Sequence, residues 1–279
     1  MIQHQNILPR WHSRMMYGIC CACALVIVGV LAIICGYLLA IGFKSMHLSL
    51  FTHLPSDDPP GMGNAIVGTL ILVLLASLLA VPIGMLAGIY LAEYEAESRI
   101  ASPVRFIADV LAGVPSIVVG VLAYELVVVP THSPSGWAGA LALAFIMIPI
   151  VCRTTEEMLR LVPQSYREAS IALGASKAKT ILGVVVPSAA GSLVTGVLLA
   201  IARVAGETAP LLFTVGWVTY MQTDPNKPFP SLTYRIYELS NEPSPENKAQ
   251  AWAGIVVLLG LILVVNLSVR FFTRRRRFV

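Results

Sequence analysis

Long apolar runs alternate with short polar intervals along this chain, and their lengths are those of membrane spans. Apolar runs cover about residues 17–43, 64–91, 104–128, 137–152, 188–209 and 251–272. A helix needs roughly 20 such residues to cross a hydrocarbon core of about 30 Å, so the pattern predicts six transmembrane helices. The first run follows an arm holding Arg10 and Arg14 and is much longer than the apolar core of a signal peptide, so it reads as an uncleaved anchor. The second is interrupted by Pro82 and Gly84; the proline frees a backbone carbonyl that a neighbouring helix must satisfy. The fourth is the shortest and carries Pro149.

One polar interval is unlike the others. Residues 165–187 read SYREASIALGASKAKTILGVVVP, a charged, helix-forming passage. Pro163 suits a first helical turn, Gly174 a left-handed carboxy-terminal cap and Ser176 a restart. The chain therefore spells a short helix, a sharp bend and a second helix that runs through Pro187 into the fifth span. A helix of about ten residues is marginal in water, so it needs a docking surface. Such an elbow can carry movement from a soluble partner into the membrane.

Orientation follows from the basic residues. With six spans and an inner amino terminus, the inner side receives Arg10, Arg14, Arg99, Arg105, Arg153, Arg160, Arg167, Lys177, Lys179, Arg270 and Arg274 to Arg277, and the outer side Lys44, Lys227, Arg235 and Lys248, which is fourteen against four. Both termini and the elbow are then cytoplasmic. The Arg274 to Arg277 run reads as a topology and lipid anchor, with nucleic-acid binding the weaker alternative.

Composition agrees with a membrane protein: 57% of residues are hydrophobic and 12% charged, against about 25% charged in soluble proteins. Cys20, Cys21, Cys23, Cys35 and Cys152 lie in or at the ends of apolar runs, where small residues pack helices, and the histidines form no HExxH pair, so no metal is assigned. No G-x-x-x-x-G-K-[ST] phosphate loop occurs, so any ATP hydrolysis must come from another chain.

Candidate chemistry lies inside the spans. Arg203 and Glu207 are four residues apart in the fifth run, a spacing that places both on one helix face. An arginine near a span centre costs roughly 2.5–3.5 kcal/mol on insertion scales, so it usually faces a bundle interior or a polar path. Two readings stand: an ion pair that only makes the helix insertable, or an anion path in which Arg203 offers planar donors and Glu207 holds or releases them. Residues 112–120 hold Gly113, Pro115, Ser116 and Gly120, which either expose backbone and the Ser116 hydroxyl to a pathway or merely kink a helix for close packing. The segment 216–248, with Trp217, Tyr220 and Tyr237, is a docking surface, a partly re-entrant stretch or an inert connection.

The elbow residues resemble a known family. Glu168, Ala169 and Ser170, then Gly174, then Val184, Val186 and Pro187 follow the spacing of the EAA loop of bacterial ABC importer permeases, with Ser170 in place of the second alanine and two valines in place of isoleucine and leucine. Gly68-Thr69, Val81-Pro82-Ile83-Gly84, Tyr90-Leu91-Ala92-Glu93-Tyr94, the PSIV stretch from Pro115 and the RVAGETAPL stretch from Arg203 to Leu211 narrow the resemblance to PstA-type phosphate permeases. It implies an all-α, type I (MetI-like) permease with six transmembrane helices. It also implies docking of Arg167, Glu168, Ala169, Ser170 and Gly174 into a cytoplasmic ATPase, and a substrate path at Arg203, Glu207, Thr208, Pro115 and Ser116.

The implied complex is a heterodimer with a PstC-like permease, a PstB-like ATPase dimer that uses ATP and Mg, and a PstS-like phosphate-binding protein, in a bacterial inner membrane. This chain would bind no cofactor and catalyse no covalent chemistry. Its divisions would be the arm, first helix and outer loop (1–62), a permease core (63–272) with a coupling loop (153–187), and a basic tail (273–279). The alternatives are a permease for sulfate, molybdate or tungstate, an ion-coupled secondary transporter, for which no inverted repeat is visible, and an intramembrane enzyme, for which no catalytic constellation is present.

Overall fold

A computed structural model describes residues 10–94 and 99–274 of the chain. Part of the acidic loop (95–98) and of the basic tail (275–279, with Arg275 to Arg277) lies outside the described residues. Helices form almost everything else, and no strand occurs among the described residues. Apart from single turns, in order they are α1 Arg10–Lys44, α2 Gly63–Glu93, α3 Ala101–Gly113, α4 Ser116–Thr131, α5 Gly136–Arg160, α6 Gln164–Ala172, α7 Lys177–Ala205, α8 Leu232–Asn241 and α9 Pro245–Arg274. Among the described residues, α1, α2, α5, α7 and α9 are long and apolar enough to cross a membrane, and α3 with α4 is apolar enough as a bent pair to be a broken sixth span or a re-entrant loop.

The pair α3–α4 corrects the expected continuous third span. It bends by 104° between its halves. The cause is local: Val114 precedes a proline, which disfavours the α region, and its backbone is extended (φ −68°, ψ 131°). Pro115 is extended too (ψ 134°) before the helix restarts at Ser116.

The shortest predicted span proves to be the central one. α5 runs 25 residues, past the expected end at Cys152, and is the most covered of the long helices, with two-thirds of its most apolar window buried. Its main partner is α2. Ala76, Ala80, Gly84 and Gly88 recur every four residues and form one seam along α2. A Cβ on Gly84 would lie 2.8 Å from the Val151 Cβ, and one on Gly88 2.5 Å from the Cys152 carbonyl oxygen. Small residues thus let the two backbones approach, the usual route to tight helix packing in lipid. Pro82 sits on the exposed side of α2 and does not interrupt it.

Two other prolines follow a common plan. π-helical turns at Tyr124–Val128 and Ile181–Val185 end two residues before Pro130 and Pro187. A proline cannot donate to the residue four back and its ring crowds that carbonyl, so a wider turn accommodates it without ending the helix.

The first helix stands apart. α1 joins the bundle at one end, where Gly42 lies against the Trp252 carbonyl of α9 and Tyr37 meets the Trp252 ring edge-on at 5.8 Å. Its most apolar window is otherwise uncovered by this chain. The seam between α2 and α5 should therefore be sensitive to size where α1 is not. Gly88→Val should destabilise the purified protein by about 1–3 kcal/mol through overpacking, whereas Gly36→Ala, with open space around it, should change stability by less than about 0.5 kcal/mol. Thermal unfolding in detergent reads the difference, and equal midpoints would contradict the seam.

Candidate functional site

Arg203, Glu207 and Thr208 lie where α7 ends. The helix stops at Ala205 and Gly206 follows with φ −97° and ψ 1°, so Glu207 lies beyond the helix and not on the Arg203 face. This corrects the expected shared face. The pair nevertheless stays close: Arg203 Nη2 is 4.0 Å from Glu207 Oε1, with the arginine side chain 60% exposed and the glutamate 18% exposed. At 4.0 Å the contact is an ion pair without a good hydrogen bond. Here exposure means uncovered by this chain, so the guanidinium points to space that another subunit or a solute can fill.

Backbone bonds fix the segment after Glu207. The Glu207 carbonyl accepts from the Thr233 hydroxyl at 3.1 Å, and the Thr208 carbonyl accepts from the Leu211 amide at 3.0 Å, starting a one-turn helix over Leu211–Thr214. Pro115 and Ser116 are brought to the same wall by packing. A Cβ on Gly120 would fall 2.5 Å from the Pro210 Cα, and Val119, Val204 and Leu211 share one apolar cluster with Val114 beside it. The PSIV and GETAPL stretches are therefore neighbours in space. Among the described residues no hydrogen bond or ion pair joins Ser116 to Arg203 or Glu207.

The elbow has the predicted shape. α6 ends in a Schellman motif: Gly174 has φ +82°, its amide donates to the Ile171 carbonyl at 2.9 Å, and the Ala175 amide donates to the Ser170 carbonyl at 3.2 Å. Ser176 caps the restart by accepting from the Lys179 amide, and the Ser170 and Thr180 hydroxyls meet at 2.9 Å across the bend. Glu168, Ala169 and Gly174 are exposed, as are Tyr166 and Leu173.

Arg167 does not belong with that exposed set. Its side chain turns inward, donating to Glu93 with Nη2–Oε1 at 2.5 Å, to the Val162 carbonyl at 2.7 Å and to the Leu159 carbonyl at 3.0 Å. Its donors are taken up by this chain, which sets it apart from the exposed residues of the elbow. A cleft of about 690 Å³ opens beside it, lined by Glu93, Arg160, Gln164, Lys177 and Thr180 among others.

Sequence reasoning missed one charged centre. Glu156, 2% exposed, accepts from Arg105 of α3 at 2.7 Å and from Arg153 and Arg160 of its own helix at 3.3 and 2.9 Å, while Arg153 also pairs with Asp109. The signal was present: arginines three residues before and four after a glutamate lie on one helical face. It is hidden once the fourth span is ended at Cys152.

At the opposite end, the segment after Gly216 is built into the bundle. The Asn64 side-chain amide donates to the Val218 and Tyr220 carbonyls at 3.0 and 3.3 Å, and the Leu232 amide donates to Thr69 Oγ1 at 2.8 Å. These bonds fasten the segment to the bundle, so it is not a loose connection. Trp217, Tyr220, Met221 and Tyr237 remain exposed on it. In its turn, hydrogen bonds from the Asn226 amide and side chain hold the Asp224 carboxyl below its ordinary range.

Long apolar helices with a capped elbow at one end and an uncovered arginine at the other define a multi-pass helical membrane protein. The family described as "Binding-protein-dependent transport system inner membrane component" matches residues 80–278. The chain is 43% identical over 239 residues to the phosphate transport system permease protein PstA of Yersinia pestis, covering 85% of this chain and 81% of that one. It is 38% identical over 282 residues to the PstA of Haemophilus influenzae, covering 99% and 100%. An inward-facing MetNI methionine ABC transporter shares the fold, with TM-score 0.65, 19% identity and coverage of 77% of this chain and 95% of that one. The chain belongs to the PstA family of phosphate transport system permease proteins, a multi-pass subunit of an ABC system with other components.

The charged centre carries its own test. Glu156→Gln keeps an acceptor but removes the charge that three arginines converge on, and should lower stability by about 1–3 kcal/mol, with the partly solvated arginines limiting the loss. Unchanged thermal unfolding of the purified variant would contradict this role.

Proposed function

We propose that this chain is the PstA-type permease of an ATP-driven phosphate importer, forming its share of the anion path and transmitting work from a cytoplasmic ATPase. The observation that supports it best is Arg203: a guanidinium at the end of a span, uncovered by its own chain and only loosely held by Glu207 at 4.0 Å. Two oxygens of a phosphate match the planar donor fork of an arginine, and a charge-assisted bidentate contact is stronger than a 4.0 Å ion pair. Phosphate can therefore displace Glu207, and Glu207 can reclaim the arginine as the anion leaves. Thr208, Pro115 and Ser116 border the same wall and complete this chain's lining.

Work is required because the anion enters an inside-negative cell. A dianion crossing 100 mV costs about 4.6 kcal/mol, twice the single-charge value. The chain has no phosphate loop, so a PstB-like ATPase dimer supplies hydrolysis of ATP with Mg. It docks on the exposed face of α6 at Glu168, Ala169 and the Gly174 bend. The excess of basic residues at the elbow side supports a cytoplasmic elbow and cytoplasmic termini in a bacterial inner membrane. A PstC-like permease covers the uncovered face at Arg203, and a PstS-like protein delivers phosphate to the exposed aromatic residues of the segment after Gly216.

Two substitutions separate these roles. Arg203→Ala should cut phosphate uptake by at least about tenfold, the factor given by 1.4 kcal/mol, while the complex still assembles. Normal uptake would leave Arg203 as an insertion device alone. Glu168→Ala should weaken copurification of the ATPase by about tenfold without changing membrane insertion, and undiminished association would reject the docking face.

A further inference from the structure

The chain itself links the elbow to Arg203 through α7. The structure adds a second connection. α2 ends at Glu93 with Tyr94 as its cap, and these neighbours are gripped from both arms of the elbow. From α6, Arg167 holds Glu93 through Nη2 at 2.5 Å and through Nε at 3.1 and 3.2 Å, with the side chains only 14% and 6% exposed. From the start of α7, the Lys177 ammonium stands 4.4 Å from the centroid of the Tyr94 ring. Because Arg167 also donates to the Leu159 and Val162 carbonyls, its guanidinium is fixed on several sides. A covered, many-bonded pair of this kind transmits displacement, whereas an exposed pair would slide.

The other end of α2 reaches the path. Thr69 accepts from the Leu232 amide at 2.8 Å, and the next residue, Thr233, donates to the Glu207 carbonyl at 3.1 Å. Gly68 abuts the Pro230 carbonyl, with no room there for a Cβ. Between its ends α2 is one unbroken helix of 31 residues, roughly 45 Å at 1.5 Å per residue, and it is stiffened along its length by the seam with α5. A movement of the elbow thus has a rigid route to the backbone of Glu207 that bypasses α7.

We propose that α2 is a second transmission rod, with Glu93 and Arg167 as its joint to the elbow and Thr69 with residues 232–233 as its joint to Glu207. Glu93 is then a positioning residue that touches neither the ATPase nor the anion. This rests on the reading of the elbow as the ATPase-docking element.

The test uses the whole complex in proteoliposomes and reads phosphate transported per ATP hydrolysed, with copurification of the ATPase as a second readout. Glu93→Gln and Arg167→Gln should each lower that ratio by about tenfold with the ATPase still bound, and the double variant should be no worse than the poorer single. Glu93→Asp should recover most of the ratio. Thr69→Val, far from the elbow, should lower the same ratio. An unchanged ratio in Glu93→Gln or in Thr69→Val, multiplied losses in the double variant, or loss of the ATPase from the Glu93→Gln complex would each overturn the rod. Retention of the ATPase by Glu168→Ala would instead reject the docking reading, a result separate from every outcome at Glu93.

Discussion

Close approach of α2 and α5 is the constraint on which the rest of this molecule depends. In lipid, apolar side chains gain little by leaving one hydrocarbon surface for another, so helices associate where small residues let backbones pack. Ala76, Ala80, Gly84 and Gly88 provide such a seam, and α5 becomes the covered axis of the bundle. Around it α3, α4, α7 and the segment after Gly216 find their places. A larger side chain on the seam would displace every element that carries function.

Charge is distributed unequally along that axis. At the elbow end Arg167 and Glu93 form a tight, covered pair, and three partly solvated arginines converge on the buried Glu156. At the Arg203 end Arg235 and Glu238 also pair at 2.8 Å, but Arg203 is mostly uncovered and Glu207 stands at the limit of pairing. The first kind of contact holds shape, while the second leaves a cation ready to change partners. In the proposed function the two serve different tasks, one mechanical and one electrostatic, and the long helices α2 and α7 run between them.

Much of this was legible in the sequence, because hydropathy and helix caps are local signals. Six spans, the elbow and its caps at Gly174 and Ser176 required only neighbouring residues. What was not legible depends on distance. Glu93 finds Arg167 seventy-four positions later, and Glu156 is neutralised partly by Arg105 from another helix, so the polar tail of α5 read as a loop. Two misreadings had local signals that were outweighed. Gly206 marks the end of α7 before Glu207, and Pro115 forces Val114 into an extended backbone that breaks the third span. The uncovered faces of α1 and Arg203 concern what lies outside this chain, about which one sequence carries little.

The most direct test is accumulation of radiolabelled phosphate in proteoliposomes holding the purified complex, with the binding protein on one side and ATP with Mg on the other. Phosphate should accumulate only when ATP is hydrolysed, and sulfate in excess should not compete. Equal accumulation without ATP, or accumulation of sulfate in place of phosphate, would contradict the proposed function.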